Sequence, residues 1–251
     1  MSEQQDIPTS DRTYVICHMV SSLDGRIDGA FFGAEEMGLI REASNQIREK
    51  FQAQAVICGA TTTAGFYADG FLPQMPANHC HLQRNDFIVP SRSCNFYVSI
   101  DPAGCIQWSK NVVERNNAPS SAVIEVLTES VSDDYLAYLR KRSISYIFAG
   151  ETELDHGLLL KKLRHKFNIQ KAVLCGGGVT NWGFLQAKAI DTLSLVVCPF
   201  VEGNRECATL FDRAPYAERT SPWSFRLENI QTLPNEGLWL IYRPQYQQQS
   251  C

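Results

Sequence analysis

The feature that most constrains the fold of this chain is a ten-residue stretch, KAVLCGGGVT, at Lys171–Thr180. Its apolar residues Ala172–Cys175 predict a short buried strand, three glycines follow, and a helix is predicted over Thr180–Lys188. Glycines let a ligand approach the backbone, and the first N–H groups of a helix attract anions because they lack partners within the helix. The order of strand, glycine turn and helix therefore indicates an α/β fold that holds a phosphate, although it also fits a plain connection.

The remaining chain alternates short apolar segments with helical ones, which predicts a mostly parallel sheet with helices on both faces. The predicted strands are Tyr14–Val20, Gln54–Thr63 with its turn, Asn95–Ile100, Ser121–Thr128, Ile144–Ala149, Ala172–Cys175 and Ser194–Pro199. The predicted helices are Ala34–Gln52, Asp133–Lys141, Asp155–Phe167 and Thr180–Lys188. Phe225–Leu233 and Leu238–Arg243 predict a C-terminal β-hairpin. We expect one domain over residues 13–245, with a flexible arm at 1–12 and a flexible tail at 246–251.

Composition limits the classes of partner. The net charge of −4 supplies no basic field, so we expect no nucleic-acid partner, and a phosphorylated ligand would need local basic groups or N–H donors. No apolar run approaches the ~20 residues that span a bilayer, and the polar N-terminus is unlike a targeting peptide. Nine cysteines without a C-x-x-C pair indicate a reduced, cytoplasmic chain, for which we predict no metal site.

Two further stretches are more specific than the glycine turn. ICHMVSSLDGRIDG at 16–29 joins an apolar strand to an S-L-D-G-R-I loop, and QAVICGATTT at 54–63 ends a strand in G-x-x-T before a helix. Together with residues 171–203, in this order, they resemble the reductase domain of riboflavin biosynthesis, the C-terminal domain of the deaminase–reductase family. That family has the dihydrofolate-reductase-like fold, and the resemblance covers most of the chain.

The resemblance implies a fold, a cofactor and a reaction. The fold is an α/β three-layer sandwich with a mixed, mostly parallel sheet, helices on both faces and a C-terminal β-hairpin. The implied enzyme is a homodimeric, NADPH-dependent reductase that transfers hydride to an imine or carbonyl carbon. Its implied substrate is a ribosylaminopyrimidine phosphate of the riboflavin pathway. This chain departs from the family at Cys175, where glutamate is common, and at Ala60, where dihydrofolate reductases have arginine.

Strand ends and glycine turns define the predicted cofactor site. The backbone N–H groups and hydroxyls that we expect to hold the diphosphate belong to Gly59, Thr61, Thr62, Gly176, Gly177, Gly178 and Val179. We expect Thr128, at the end of the fourth predicted strand, to meet the adenosine ribose or its 2′-phosphate.

The predicted substrate side lies beyond the first strand and along the first helix. His18 and Asp24 are the candidate catalytic residues, since histidine relays protons near neutral pH. Two alternatives stay open, because His18 also fits a hydrogen-bonded core residue and Asp24 a turn residue. The other candidate substrate contacts are Ser22, Arg41, Ser44, Arg48 and Cys175.

Other readings of the chain remain. Cys175 favours a reductase of another small imine, carbonyl or pterin on the same fold. A second alternative is a non-catalytic, dimeric nucleotide-binding protein. Residues 68–92 lack periodicity, and a loop of this length suggests a lid or a dimer-facing segment.

Overall fold

Ten strands form one sheet at the centre of the computed structural model, which describes residues 11–73, 82–91, 93–115, 118–214 and 221–246. In chain order they are β1 (Tyr14–Ser21), β2 (Ala55–Gly59), β3 (Phe96–Ile100), β4 (Val112–Arg115), β5 (Ala118–Leu127), β6 (Ser145–Phe148), β7 (Lys171–Leu174), β8 (Thr192–Val197), β9 (Ser224–Thr232) and β10 (Leu238–Gln245). The helices are α1 (Met37–Lys50), α2 (Ala60–Phe66), α3 (Asp133–Lys141), α4 (His156–Phe167) and α5 (Gly178–Gln186). A single 3-10 turn, Ala30–Gly33, precedes α1.

The strand order across the sheet is β4-β5-β3-β2-β7-β1-β8-β10-β9, and β6 also pairs with β5. Seven strands are parallel, while β4, β9 and β10 run antiparallel to their neighbours. The first strand of the chain therefore lies in the middle, between β7 and β8. This order brings the glycine turn after β7 beside the loops after β1 and β2, which are its two neighbours.

Helices cover both faces of the sheet. On β2, Ala55 and Ile57 join the core beneath α4 and α5, whereas Val56 and Cys58 join the core beneath α2 and α3. Such strands, buried on both faces, read as continuous apolar runs. The predicted α/β three-layer sandwich, with its mixed, mostly parallel sheet, helices on both faces and C-terminal hairpin, is confirmed.

Helix α1 carries one polar residue inside its apolar stripe. Met37, Ile40 and Ile47 are buried, and so is Ser44. The helix was predicted from residue 34, but the 3-10 turn and a short loop occupy the chain as far as residue 36.

The described part of the predicted excursion at 68–92 covers an edge of the sheet. Phe87 exchanges backbone hydrogen bonds of 2.9 Å with Tyr146 of β6. Asp86 accepts hydrogen bonds from the Phe148 N–H and from Lys162 Nζ, both at 2.9 Å. Residues 82–91, which we call the edge segment, therefore extend the sheet beside β6; residues 74–81 lie outside the described structure.

Two side-chain contacts lie next to the predicted ends of the domain, whose bounds stay a prediction. Arg12, at the end of the predicted arm, makes a two-pronged ion pair with Asp191, at 2.9 and 2.7 Å. At the other end, the Tyr246 hydroxyl donates to the Ile190 carbonyl at 2.7 Å, so this residue, one position beyond the predicted domain, contacts the loop before β8. Residues 1–10 and 247–251 lie outside the described structure.

Candidate active site

Two glycine turns meet at the carboxyl edge of the sheet. Strands β2 and β7 are parallel neighbours, and the Gly59 N–H donates to the Gly176 carbonyl at 3.3 Å. The Cys175 N–H donates to the Ile57 carbonyl at 2.9 Å, and Thr62 Oγ1 donates to the Gly176 carbonyl at 3.4 Å. Ligands of open α/β sheets bind beyond this edge, so the turns lie where a ligand is expected.

The helices that follow these turns begin without a side-chain cap. Helices α3 and α4 start at Ser132 and Asp155, whose side chains accept the N–H groups of Tyr135 and Leu158. By contrast, the N-cap residues of α2 and α5 are Gly59 and Gly177, and neither helix has a side-chain cap. Their first N–H groups are therefore directed at the space beyond the sheet edge, with the positive end of each helix dipole behind them.

Close packing explains why glycines stand in the turns. A Cβ at Gly59 would collide with the Thr180 hydroxyl, and a Cβ at Gly178 would collide with Asp212 and the Thr209 carbonyl. Gly177 has a positive φ of 86°, a conformation that strains residues with side chains. The turns are consequently held in one shape by the chain itself.

The predicted cofactor residues are placed together with one exception. Gly59, Thr61, Thr62 and Gly176–Val179 surround the two uncapped helix starts, with Val179 52% exposed. Thr128 follows β5, two strands away from β2, and its buried hydroxyl donates to the Pro102 carbonyl at 2.8 Å. That hydroxyl is already engaged within the protein.

His18 lies in a buried polar network between β1 and α1. Its Nδ1 is 2.9 Å from Ser194 Oγ, and its Nε2 is 2.9 Å from Ser44 Oγ. The Trp239 indole donates to Ser194 Oγ at 2.8 Å, which leaves the serine proton for His18 Nδ1. Burial lowers the pKa of His18 to about 4, so the ring is neutral near pH 7. The structure thus joins two predicted site residues, His18 and Ser44, inside the core.

Asp24 and Ser22 form a second cluster in the loop after β1. Ser22 Oγ donates to Asp24 Oδ1 at 2.6 Å, and the N–H groups of Glu202 and Gly203 donate to the same carboxylate at 3.0 and 2.9 Å. The hydrogen bond from Ser22, followed by those from the two N–H groups, lowers the pKa of Asp24 to about 2. Asp24 is therefore an ionised acceptor at neutral pH.

The remaining predicted substrate residues lie along α1 and after β7. Arg41 is exposed and donates to the Phe32 carbonyl at 3.1 Å, and Arg48 donates to Asn45 Oδ1 at 2.9 Å. Cys175 is partly buried and packs against the core beneath α2 and α3. Among the described residues there is no cluster of acidic, cysteine or histidine side chains that would hold a metal ion.

Sequence reasoning missed the segment that follows β8. Residues 200–214 lie against both the loop after β1 and the start of α5, where Asn181 Nδ2 donates to the Leu210 carbonyl at 2.9 Å. No periodicity marks this segment. The one available signal was Asn181, an amide side chain next to the apolar residues of α5, which is fully buried.

Comparison with known families decides the classification. The model of the RibD C-terminal domain family matches residues 13–238. This chain belongs to that family. The resemblance read from the three sequence stretches is therefore confirmed, and both uncapped glycine turns lie within the matched part of the RibD C-terminal domain.

Two curated relatives of this RibD C-terminal domain protein carry the same name, 2,5-diamino-6-ribosylamino-4(3H)-pyrimidinone 5′-phosphate reductase. The one from Methanothermobacter thermautotrophicus is 27% identical over 223 residues, which cover 88% of this chain and 94% of the relative. The one from Aquifex aeolicus is 25% identical over 207 residues, covering 80% and 83% of the two chains. The match thus extends over most of each relative.

Solved structures share the fold of this RibD C-terminal domain. A pyrimidine reductase-like protein from Corynebacterium diphtheriae has a TM-score of 0.65 at 15% identity, covering 94% of this chain and 93% of that one. Acinetobacter baumannii RibD has a TM-score of 0.59 at 20% identity. The match covers 94% of this chain but only 59% of that RibD chain. Within the described ranges, none of the helices combines the length and the hydropathy of a membrane-spanning helix.

Proposed function

We propose that this protein is an NADPH-dependent reductase of the riboflavin-pathway type. Its substrate would be a ribosylaminopyrimidine phosphate, either 5-amino-6-(5-phosphoribosylamino)uracil or 2,5-diamino-6-ribosylamino-pyrimidinone phosphate. The observation that carries the proposal is the pair of uncapped helix starts at Gly59 and Gly177, which meet at the sheet edge. The names of the two curated relatives support the reaction and the phosphorylated substrate.

The turns suit a dinucleotide diphosphate. The backbone N–H groups after Gly177 and Gly59 would hold its oxygens, with the hydroxyls of Thr61 and Thr62 at the rim. Bound NADPH would supply a hydride from C4 of its nicotinamide. What the chain must do is hold the acceptor carbon close to that position and exclude water.

The substrate side is assigned to the loop after β1, helix α1 and Cys175. Arg41 and Arg48 are the cations of α1 that would reach a substrate phosphate, because guanidinium groups pair with phosphate oxygens. Neutral His18, through Ser44, fixes the inner face of α1, and ionised Asp24, through Ser22, fixes the loop. Their pKa values favour orienting roles over proton donation near pH 7. The catalytic roles of His18 and Asp24 stay predictions.

The first test is a fluorescence titration of the wild type with NADPH and NADH under reducing conditions. Gly177→Glu places bulk and negative charge where the diphosphate should lie. Gly177→Ala is the matched control, because it carries the same backbone strain without the charge. We expect NADPH to bind more tightly than NADH, and the glutamate variant to bind at least ~10-fold more weakly than the alanine variant. Equal binding by the two variants would refute this placement, and a wild type that binds neither nucleotide would refute the cofactor.

Cys175 supports a second candidate, a reductase of another small imine, carbonyl or pterin. A thiol stands where the family commonly has a carboxylate, so an amino group of the pyrimidine would lose an ionic partner there. Turnover assays with both pyrimidine phosphates and with pterins would separate the candidates. Tight NADPH binding without turnover of any of them would favour the non-catalytic nucleotide-binding protein.

We also propose that the protein is a cytoplasmic homodimer. Strand β9 ends the sheet and exposes Leu227 and Ile230, at 48% and 56%, which suits burial against a second copy. Sedimentation equilibrium would measure the association. A monomer at micromolar concentration, with NADPH bound, would contradict it.

A further inference from the structure

Residues 200–214, which we call the strap, cross the carboxyl edge of the sheet after β8. The strap touches two elements that the proposed function assigns to different ligands. One is the loop after β1, on the substrate side, and the other is the first turn of α5, on the cofactor side.

On the substrate side, the strap is bonded along the whole loop after β1. The N–H of Leu23 donates to the Phe200 carbonyl at 2.7 Å, and the N–H of Ile27 donates to the Ala208 carbonyl at 2.9 Å. Between these bonds the Asp24 carboxylate accepts the N–H groups of Glu202 and Gly203. Asp24 is the one side chain of the loop that holds two consecutive N–H groups of the strap.

On the cofactor side, the strap packs against the glycine that opens α5. The Asp212 N–H donates to the Gly178 carbonyl at 3.0 Å, and Asn181 Nδ2 donates to the Leu210 carbonyl at 2.9 Å. No side chain would fit at Gly178, because Asp212 and Thr209 of the strap fill the space. The position of the first turn of α5 therefore depends on the position of the strap.

We propose that Asp24 is a positioning residue for the cofactor. Its carboxylate fixes the position of the strap, and the strap in turn holds the start of α5 in the conformation that receives the diphosphate. The inference rests on the proposed function only for the identity of the ligand. It differs from a catalytic role, because both Asp24 oxygens are engaged by protein donors.

The hydrogen bonds between Asp24 and the strap require a carboxylate. Three donors converge on two oxygens, and a carboxylate offers acceptor sites on both. An amide at this position has one acceptor oxygen, and its NH₂ group would face a backbone N–H. The low pKa of Asp24 agrees with this arrangement, and it keeps the carboxylate ionised at neutral pH.

The test compares Asp24→Asn with Glu206→Gln. The control also removes one negative charge from the region, but Glu206 is exposed and its carboxylate makes no hydrogen bond or ion pair to the residues that the structure describes. The rate of amide hydrogen exchange is measured without ligand in two peptides, one covering the strap at 200–214 and one covering the start of α5 at 177–181. We expect Asp24→Asn to speed exchange in both peptides at least ~10-fold and the control to change neither. Faster exchange in the strap alone would overturn the proposal.

Binding supplies the second readout. We expect Asp24→Asn to raise the NADPH Kd about 5–10-fold. A double-mutant cycle with Asn181→Ala should be clearly non-additive, since both changes release the same strap. Additive effects, or an unchanged Kd, would overturn the proposal.

If Asp24→Asn does not fold, Ser22→Ala removes one bond from the same carboxylate and should shift both readouts in the same direction. A wild type that binds no dinucleotide would refute the proposed function. The exchange data would still decide whether Asp24, through the strap, holds the start of α5.

Discussion

The indole N–H of Trp108 donates a hydrogen bond to Oε1 of Glu125, in a region where the two residues are 2% and 0% exposed. Burial raises the pKa of Glu125 well above its usual range, and the nearby charge of Asp101 raises it further. Asp101 is itself held by the N–H groups of Cys105 and Ile106, at 2.7 and 2.9 Å. Glu125 is thus a buried acid that favours its neutral form.

Glu125→Gln should become progressively more stable than the wild type as the pH rises. A raised folded-state pKa means that the folded protein keeps a proton that the unfolded chain releases near pH ~4.3. The wild type therefore loses stability as pH rises above that value, and glutamine, which keeps an acceptor for Trp108, does not titrate. Urea unfolding at pH 5 and pH 8 measures the difference, and a gap that is independent of pH would contradict the assignment.

His18 should produce the opposite slope. Its folded pKa of about 4 lies below the unfolded value of ~6.5, so its contribution is complete above pH 6.5 and is lost as pH falls toward 4. We expect His18→Gln to remove up to about 1.4 kcal/mol per pH unit from the slope of unfolding free energy in that interval. His165→Gln is the control at the surface, where the side chain is 59% exposed. Equal slopes for the wild type and His18→Gln would refute the buried neutral ring.

Gly59→Ala should destabilise the protein because its Cβ would strike the Thr180 hydroxyl. Overpacking of this kind costs about 1–3 kcal/mol. Thr180→Ala removes the hydroxyl, so the double variant should recover much of the loss. The free energies of unfolding of the four proteins form a double-mutant cycle, and additive effects would mean that the two residues do not meet.

Asp86→Asn should loosen the edge segment. The Asp86 side chain is 8% exposed and lies between Lys162 and Lys166, at 2.9 and 3.2 Å. An amide keeps a hydrogen-bond acceptor but removes the charge that the two ammonium groups face, so we expect a loss of about 1–3 kcal/mol. Limited proteolysis should then cut within 82–91 first. Asp69→Asn, at an exposed position outside that segment, should leave the cleavage rate unchanged.

Local signals explain why much of the fold was predictable. Helix α3 has the predicted bounds because Ser132 is a typical N-cap and the periodicity is clear. Strands β3 and β6 lie within one residue of their predictions, since each is a short apolar run. Strand β2 begins one residue late and ends at Gly59, because the predicted turn up to Thr63 is already the first part of α2. Helix α5 begins two residues earlier than predicted, because glycines were interpreted as turn residues, although Gly177 is its N-cap and Gly178 its first residue.

Distant partners explain what was missed. The four residues of β4 form a strand only by pairing with β5. The edge segment needs Tyr146 and Lys162 as partners, and the strap needs Asp24, which lies 178 residues before Glu202. Within the site, the glycine turns were visible in sequence, whereas the engagement of Thr128 by the Pro102 carbonyl was not. Hydrogen bonds between distant backbone groups leave no local pattern in a sequence.

The central position of β1 has a consequence during synthesis. Ser194 of β8, which pairs with β1 in the finished sheet, lies 176 residues after His18. At 5–20 residues per second, the ribosome needs on the order of 10–35 s to deliver that partner after β1 has emerged. For most of this interval, until β7 has been made, an almost wholly apolar strand has no partner in the sheet, and the two glycine turns acquire their final neighbours only near the end of translation.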